Sequence, residues 1–303
     1  MNVLVAGGSG TIGFPLVRAL VRAGHQLTSL SRSTVRRREL IDLGVSVVQA
    51  DALNRDALIA AVDAARPTHV IHELTALPKD GVRRSSDIDP TSRLRIDGTR
   101  NLLEAAVRAG ARRFVVGSFA ILSDRASGGT APPDSSAADA VRSMEKQVLD
   151  ATERGAIEGV ILRYGLFYGP DVPSTVSMID MVRKRRLPVL RNDEGQLPLI
   201  HIDDAVSATV RALDHAPAGG VYDIVDDRAV SMSDVVRTIA EFTGSRSPLR
   251  VPSWLPKLIA PYMARMTSVR LPLSNSRAEA ELGWRPAYPS MREGLAGILR
   301  KAA

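Results

Sequence analysis

Residues 3–20 read VLVAGGSGTIGFPLVRAL, a β-branched run that passes through glycines into an amphipathic one. Gly7, Gly10 and Gly13 fall three apart, and Thr11 and Ile12 lie between the last two. A tight turn and a close approach of backbone to a pyrophosphate both need positions without a Cβ. The helix that follows offers unpaired N–H groups and the positive end of its dipole to the phosphates. The stretch therefore predicts strand, turn and helix, with a dinucleotide phosphate held at the turn by Gly7, Gly10, Thr11, Ile12 and Gly13.

Outward from that turn the same rhythm repeats. HQLTSLS, VSVVQAD, THVIH, RRFVVGS and GVILRYGLF read as strands, and the amphipathic runs between them, among them STVRRRELIDLG and ALNRDALIAAVDAA, read as helices. Runs such as VSVVQ are apolar on both faces, as parallel strands covered by helices on both sides must be. The expected fold class is α/β, a Rossmann-like doubly wound parallel sheet. After Gly169, prolines at 170, 173, 188 and 198 break the rhythm. The chain then divides into a dinucleotide-binding domain over 1–168, with 200–226 returning to it, and a smaller substrate-binding lobe over 169–199 and 227–303. WLPKLIAPYMARM, near the end, reads as helical.

Composition narrows the function classes. A chain of 303 residues, 45% apolar, can bury a large core. Its apolar runs stop well short of the ~20 residues a membrane span needs, and it begins on a strand pattern. A cytoplasmic protein without membrane contact is expected. The absence of cysteine excludes disulfides, thiolate nucleophiles and thiolate metal sites. The net charge of +7 comes from a basic set in which 35 of 40 residues are arginine, the lysines being Lys79, Lys146, Lys184, Lys257 and Lys301. The clusters Arg36 to Arg38 and Arg183 to Arg186 read first as solvated helix faces, next as contacts to a phosphate-bearing ligand, and last as a nucleic-acid surface.

The end of the second strand selects the cofactor. An acidic side chain there would favour NAD, but the order is Leu30, Ser31, Arg32, Ser33. A guanidinium pairs with phosphate in bidentate geometry, so Arg32 points to the 2′-phosphate of NADP, with NAD as the alternative.

With that motif in place, the chain resembles the extended short-chain dehydrogenases/reductases of the NAD(P)-dependent epimerase/dehydratase family. The resemblance runs through QADAL, VIHELTA, DGTRNLLEAA, ILRYGLFYGP, IHIDDAVSA, VYDIVDD and ELGWRP, in the family's order. It implies a Rossmann-like sheet with a C-terminal substrate lobe. It also implies that Asp51 and Ala52 lie at the adenine, that Leu74 and Tyr164 lie along the cofactor, and that two copies pair through the central helices.

Family chemistry uses a tyrosine and a lysine four residues apart on one helix, with a serine or threonine at a strand end. Residues four apart share a helix face, so the ammonium can lower the phenol's pKa and ready it to exchange a proton. No Tyr-x-x-x-Lys occurs in this chain. Counting back from ILRYG puts the pair at Ala137 and Val141, or at Ala140 and Met144. Ser118 lies beside the hydroxyl position, which Phe119 occupies, and Arg95 stands where many relatives have asparagine. Ser118 and Tyr164 are the candidate replacements. His201 has the titration range of a proton donor, with Asp203 beside it reading as a helix cap. His72 and Glu73 lack a third ligand at metal-binding spacing, so no metal site is expected. The reading is an NADP-dependent oxidoreductase acting on a small or medium organic substrate through a nonstandard proton donor. The alternatives are a sugar-nucleotide epimerase or dehydratase with a relocated acid, and a degenerate cofactor-sensing or RNA- or protein-binding relative.

Overall fold

The computed structural model describes residues 1–78, 82, 84–122, 136–191, 193–255, 270 and 273–300. Most of WLPKLIAPYMARM, read as helical, lies outside them.

The first half alternates strand and helix: β1 (Asn2–Ala6), α1 (Gly13–Arg22), β2 (Gln26–Ser31), α2 (Arg37–Asp42), β3 (Ser46–Gln49), α3 (Arg55–Ala65) and β4 (His69–His72). The chain continues through α4 (Asp89–Arg93), α5 (Thr99–Arg108), β5 (Arg113–Phe119), α6 (Ser136–Glu153), β6 (Glu158–Tyr164), β7 (Leu166–Tyr168) and α7 (Pro173–Arg183). It ends with β8 (Val189–Leu190), β9 (Leu199–His201), α8 (Ile202–His215), β10 (Gly220–Ile224), α9 (Met232–Phe242), β11 (Arg250–Val251), α10 (Ser276–Leu282) and α11 (Met291–Arg300).

Seven parallel strands form one sheet in the order β10-β6-β5-β4-β1-β2-β3, so the winding reverses between β1 and β4. Alternate residues of each strand feed two cores. Val3 and Val5 of β1 join Leu16 and Leu20 of α1 and Ala205 and Ala212 of α8 on one face. Leu4 and Ala6 join Leu58, Leu102 and Met144 of α3, α5 and α6 on the other. A doubly covered sheet is why these strands read apolar throughout. A third core, with Leu197, Val235, Ile239 and Leu295, sits beyond β7 and carries α7, α9 and α11.

Polar groups fasten the layers. Arg113 is buried, bridges to Glu158, and donates to the carbonyls of Ala212 (3.2 Å) and Leu213 (2.8 Å), capping the last turn of α8. Asp204 of α8 accepts from the backbone N–H groups of Ala287 (2.8 Å) and Tyr288 (2.9 Å), and Trp284 donates to Ser207 at 2.8 Å. IHIDD and ELGWRP, far apart in sequence, thus meet as one joint.

Two local features depart from simple patterning. DGTRNLLEAA is not one regular helix, because Leu94–Gly98 forms a π-helical turn between α4 and α5. Such a turn closes on i→i+5 bonds and holds one extra residue, and no residue type in the run marks where those bonds form. The cap of α8 is His201, whose Nδ1 accepts from the Asp203 N–H at 3.3 Å, whereas Asp203 is inside the first turn. His201 is buried between Tyr168 and Tyr288, with ring centroids 5.2 and 4.1 Å away.

Candidate cofactor and active site

Open parallel sheets bind ligands at the carboxyl edge where the winding reverses, which here is between the ends of β1 and β4. Gly7 leaves β1 with φ +95, and a Cβ there would meet the Glu73 carbonyl oxygen at 2.7 Å. The Gly10 N–H donates to the Gly7 carbonyl at 2.8 Å, and a Cβ on Gly13 would lie 2.0 Å from that oxygen. The three glycines thus close the turn on itself. Ile12 is buried below it and Thr11 is exposed at its tip. No side chain caps α1 and no acidic residue occupies its first turn, which suits a pyrophosphate.

At the expected adenosine end, beyond β2 and β3, Arg32 and Asp51 come together, Nη1 to Oδ2 at 3.8 Å, with both side chains about half exposed. Asp51 also accepts from the Leu53 N–H at 3.0 Å, and Asn101 of α5 donates to the Ala52 carbonyl at 2.9 Å. That bond anchors the loop after β3. Ser9 and Ser31 share a hydrogen bond at 3.0 Å, and Ser31 accepts from the Ser33 N–H at 3.1 Å. Arg36, in the left-handed region at φ 57, lays its guanidinium over Phe14 at 4.4 Å. The hydroxyls of Ser9 and Ser31 thus meet where β2 ends, while Arg36 packs on Phe14 of α1. The sequence does not single out Ser9, nor Arg36 by itself, as neighbours of this turn. Arg36 reads there within a charge run taken first as a solvated helix face and next as a phosphate contact, and nothing local shows that its chain turns back onto α1.

On the half expected to receive the nicotinamide, Leu74 follows β4, with its N–H donated to His72 Nδ1 at 3.2 Å. The candidates Ser118 and Tyr164 end neighbouring strands but belong to opposite faces of the sheet. Ser118 is buried toward α6 and donates to Glu145 Oε1 at 2.6 Å, and Arg163 Nε donates to the same oxygen at 2.9 Å. Tyr164 is buried toward α8, its hydroxyl 3.1 Å from Glu73 Oε1 and 2.7 Å from Thr209 Oγ1. Burial, then the nearby Glu73, pushes its phenol well above the ordinary range.

The helix face that should carry the proton relay is apolar. Ala137 and Val141 of α6 pack with Ile88, Leu122 and Ala138 in one small cluster, while Met144 enters the main core. Ala140 is fully buried as well. Lys146, the one lysine on α6, is exposed and pairs with Asp150 at 2.8 Å. Both registers counted from the sequence therefore present hydrocarbon.

Sequence reading also misses Glu73, weighed only as a metal ligand beside His72. Its neighbour turns the other way, toward Thr99, at 3.0 Å. Burial lowers the His72 pKa to about 4 and raises that of Glu73 to about 8. Among the described residues, no three His, Asp or Glu side chains gather as a metal site would require. No helix among them is long and apolar enough to cross a membrane.

The comparisons agree with this geometry. Residues 3–225 match the model of the NAD dependent epimerase/dehydratase family. The chain is 37% identical to the 3-diazoavenalumate denitrifying reductase of a Streptomyces species, across 97% of this chain and 99% of that one. It is 27% identical to the UDP-glucose 4-epimerase of Azospirillum brasilense, across 99% and 90%. Among solved structures, the Thermus thermophilus UDP-glucose 4-epimerase in complex with NAD superposes with a TM-score of 0.79 at 25% identity, covering all of both chains. With its glycine cradle, doubly wound sheet and matched span, this chain belongs to the NAD dependent epimerase/dehydratase family and is an enzyme of the NAD(P)-dependent oxidoreductase and epimerase type.

Proposed function

We propose that the protein is an NADPH-dependent reductase whose hydride acceptor needs no proton from the enzyme, and that the acceptor is a diazo group on a small or medium organic molecule. The observation that carries this reading is the apolar face of α6. Ala137 and Val141 are sealed by Ile88 and Leu122 where a carbonyl reductase needs an acid. Reduction of a carbonyl leaves an alkoxide that must be protonated. A diazo carbon in its diazonium form behaves differently. Hydride supplies both electrons of a new C–H bond, and the C–N bond breaks with its pair departing in dinitrogen. Charge and atoms balance with no proton at all. The similarity to a diazo-reducing enzyme over nearly the whole chain supports the same choice.

The chain's own groups hold, orient and exclude water. The glycine turn and α1 bind the pyrophosphate, Arg32 and Asp51 receive the adenosine end, and Leu74 with Tyr164 line the nicotinamide half. Bound NADPH supplies the hydride. The apolar wall of α6 keeps water from quenching a reactive cation. The lobe of 169–199 and 227–303 receives the substrate, in a cytoplasmic protein.

A direct test incubates the purified protein with C4-deuterated NADPH and an arenediazonium acid. The expected result is loss of 340 nm absorbance, one equivalent of dinitrogen, and deuterium on the carbon that carried nitrogen. Turnover of UDP-glucose with bound NAD, and none of the diazo acid, would overturn the reading in favour of an epimerase. Cofactor choice has its own test. Arg32→Asp removes a charge-assisted phosphate contact worth about 1.5–3 kcal/mol, so NADPH affinity falls roughly 10- to 100-fold while NADH affinity holds. Equal weakening of both would remove Arg32 from the role.

A further inference from the structure

We propose that Glu73 is a proton-exchanging carboxyl built into the floor of the cofactor site, neutral beside the reduced nicotinamide and ionised beside the oxidised, positively charged one. The inference rests on the reading of this site as an NADPH-dependent one.

Glu73 is the first residue beyond β4, at the point where the sheet reverses its winding, and its N–H donates to the Ala6 carbonyl at 2.8 Å. Its own carbonyl fills the space that Gly7 leaves open. The carboxyl turns away from the adenosine half toward β5 and β6. There Gly117 makes room for it: a Cβ on Gly117 would lie 2.3 Å from Oε2 and 2.8 Å from Oε1. Two glycines at the ends of two strands thus accommodate one acid. The residue as a whole is partly exposed, while its carboxyl is enclosed by Gly117 and Tyr164.

Hydrogen bonding gives the acid two complete states. Thr209 Oγ1 lies 2.7 Å from both the Tyr164 hydroxyl and the Ala205 carbonyl. With Glu73 protonated, the donors run Glu73 to Tyr164, Tyr164 to Thr209 and Thr209 to the carbonyl. With Glu73 ionised, both hydroxyls reverse, so Thr209 donates to Tyr164 and Tyr164 to the carboxylate. Neither state leaves a hydroxyl proton without an acceptor. Tyr164 is the one titratable group that faces Glu73 among the described residues. His72 lies on the opposite face, and β1, β5 and α8 present Gly7, Gly117 and Thr209. Among the described residues no cation is paired with the carboxyl, so its charge answers to what binds above it.

The coupling follows. Loss of hydride leaves one positive charge on the nicotinamide, and the Glu73 proton departs to water at the open carboxyl edge of the sheet. The charge created on the ring is thereby matched by the one created on Glu73. An ionised Glu73 stabilises the oxidised cofactor and drives hydride donation, acting as a positioning and tuning residue rather than as a proton donor to the substrate.

The test compares Kd for NADP⁺ and NADPH by calorimetry between pH 6 and 9.5. The 2′-phosphate is common to both and cancels in the ratio. In the wild type the affinity of NADP⁺ relative to NADPH rises by up to about tenfold per pH unit below pH ~8 and levels off above it, with proton release on NADP⁺ binding. In Glu73→Gln the ratio is flat. In Tyr164→Phe, which removes the donor to the carboxylate, the rise moves to higher pH, and this variant carries the test if Glu73→Gln does not fold. A flat ratio in the wild type, a rise that survives in Glu73→Gln, or an unshifted Tyr164→Phe overturns the inference and leaves the reductase standing. A wild type that binds neither cofactor overturns both.

Discussion

Gly13→Ala is expected to abolish binding of NADPH and NADH alike, by at least about 100-fold, or close to 3 kcal/mol. The new methyl would lie 2.0 Å from the Gly7 carbonyl oxygen, 2.8 Å from its carbon and 2.9 Å from the Gly8 Cα. All three obstacles are backbone, so no rotamer change relieves the clash. The first turn of α1 must move away from β1, and the N–H groups aimed at the pyrophosphate move with it. Gly24→Ala supplies the control. It lies just beyond the other end of α1 with φ +80, and nothing surrounds its Cβ position. That variant loses about 1 kcal/mol of stability through backbone strain and keeps its cofactor affinity. Titration of both variants with NADPH by fluorescence checks the pair, and retained affinity in Gly13→Ala would remove the turn from the cofactor site.

Glu145→Ala is expected to be the most damaging single change to stability, at about 3–5 kcal/mol in urea unfolding. Glu145 is buried, and its Oε1 accepts from both Arg163 and Ser118. Truncation leaves the guanidinium in a largely closed space with no carboxylate, and leaves the Ser118 hydroxyl without its acceptor. The double variant Glu145→Ala with Arg163→Met removes both charges and recovers most of the loss, because the penalty comes from an unpaired ion rather than from the bond itself. A single variant within about 1 kcal/mol of wild type would mean that Arg163 reaches water. The same bonds explain why Ser118 is held away from proton transfer: its proton is committed to Glu145.

Much of the fold is written in short-range pattern. The strand-glycine-helix opening, the doubly apolar strands and the regular alternation of elements survive any reading, because sheet and helix periodicities are local properties of side-chain direction. The π-helical turn at Leu94–Gly98 and the His201 cap of α8 are hidden for a complementary reason. Both depend on which backbone groups find partners, and an apolar pattern is silent on that. Arg32 and Asp51 are each expected at the adenosine end from sequence, and the folded chain brings them within 3.8 Å of each other.

The chain's own order of residues determined that a dinucleotide cradle exists and that the Tyr-x-x-x-Lys relay does not, since both are questions of residue type at fixed spacing. Only the folded molecule decided what stands in the relay's place. Ser118 and Tyr164, each offered by the sequence as a candidate, end adjacent strands but are sent to opposite faces by the two-residue alternation of the sheet and its register, Ser118 opposite Arg163 and Phe119 opposite Tyr164. The acid that does meet Tyr164 is Glu73, 91 residues away in the chain. Its burial, its two glycine neighbours and its hydroxyl partners come from β1, β5, β6 and α8. Long-range packing alone brings those elements together, so no local pattern could announce it.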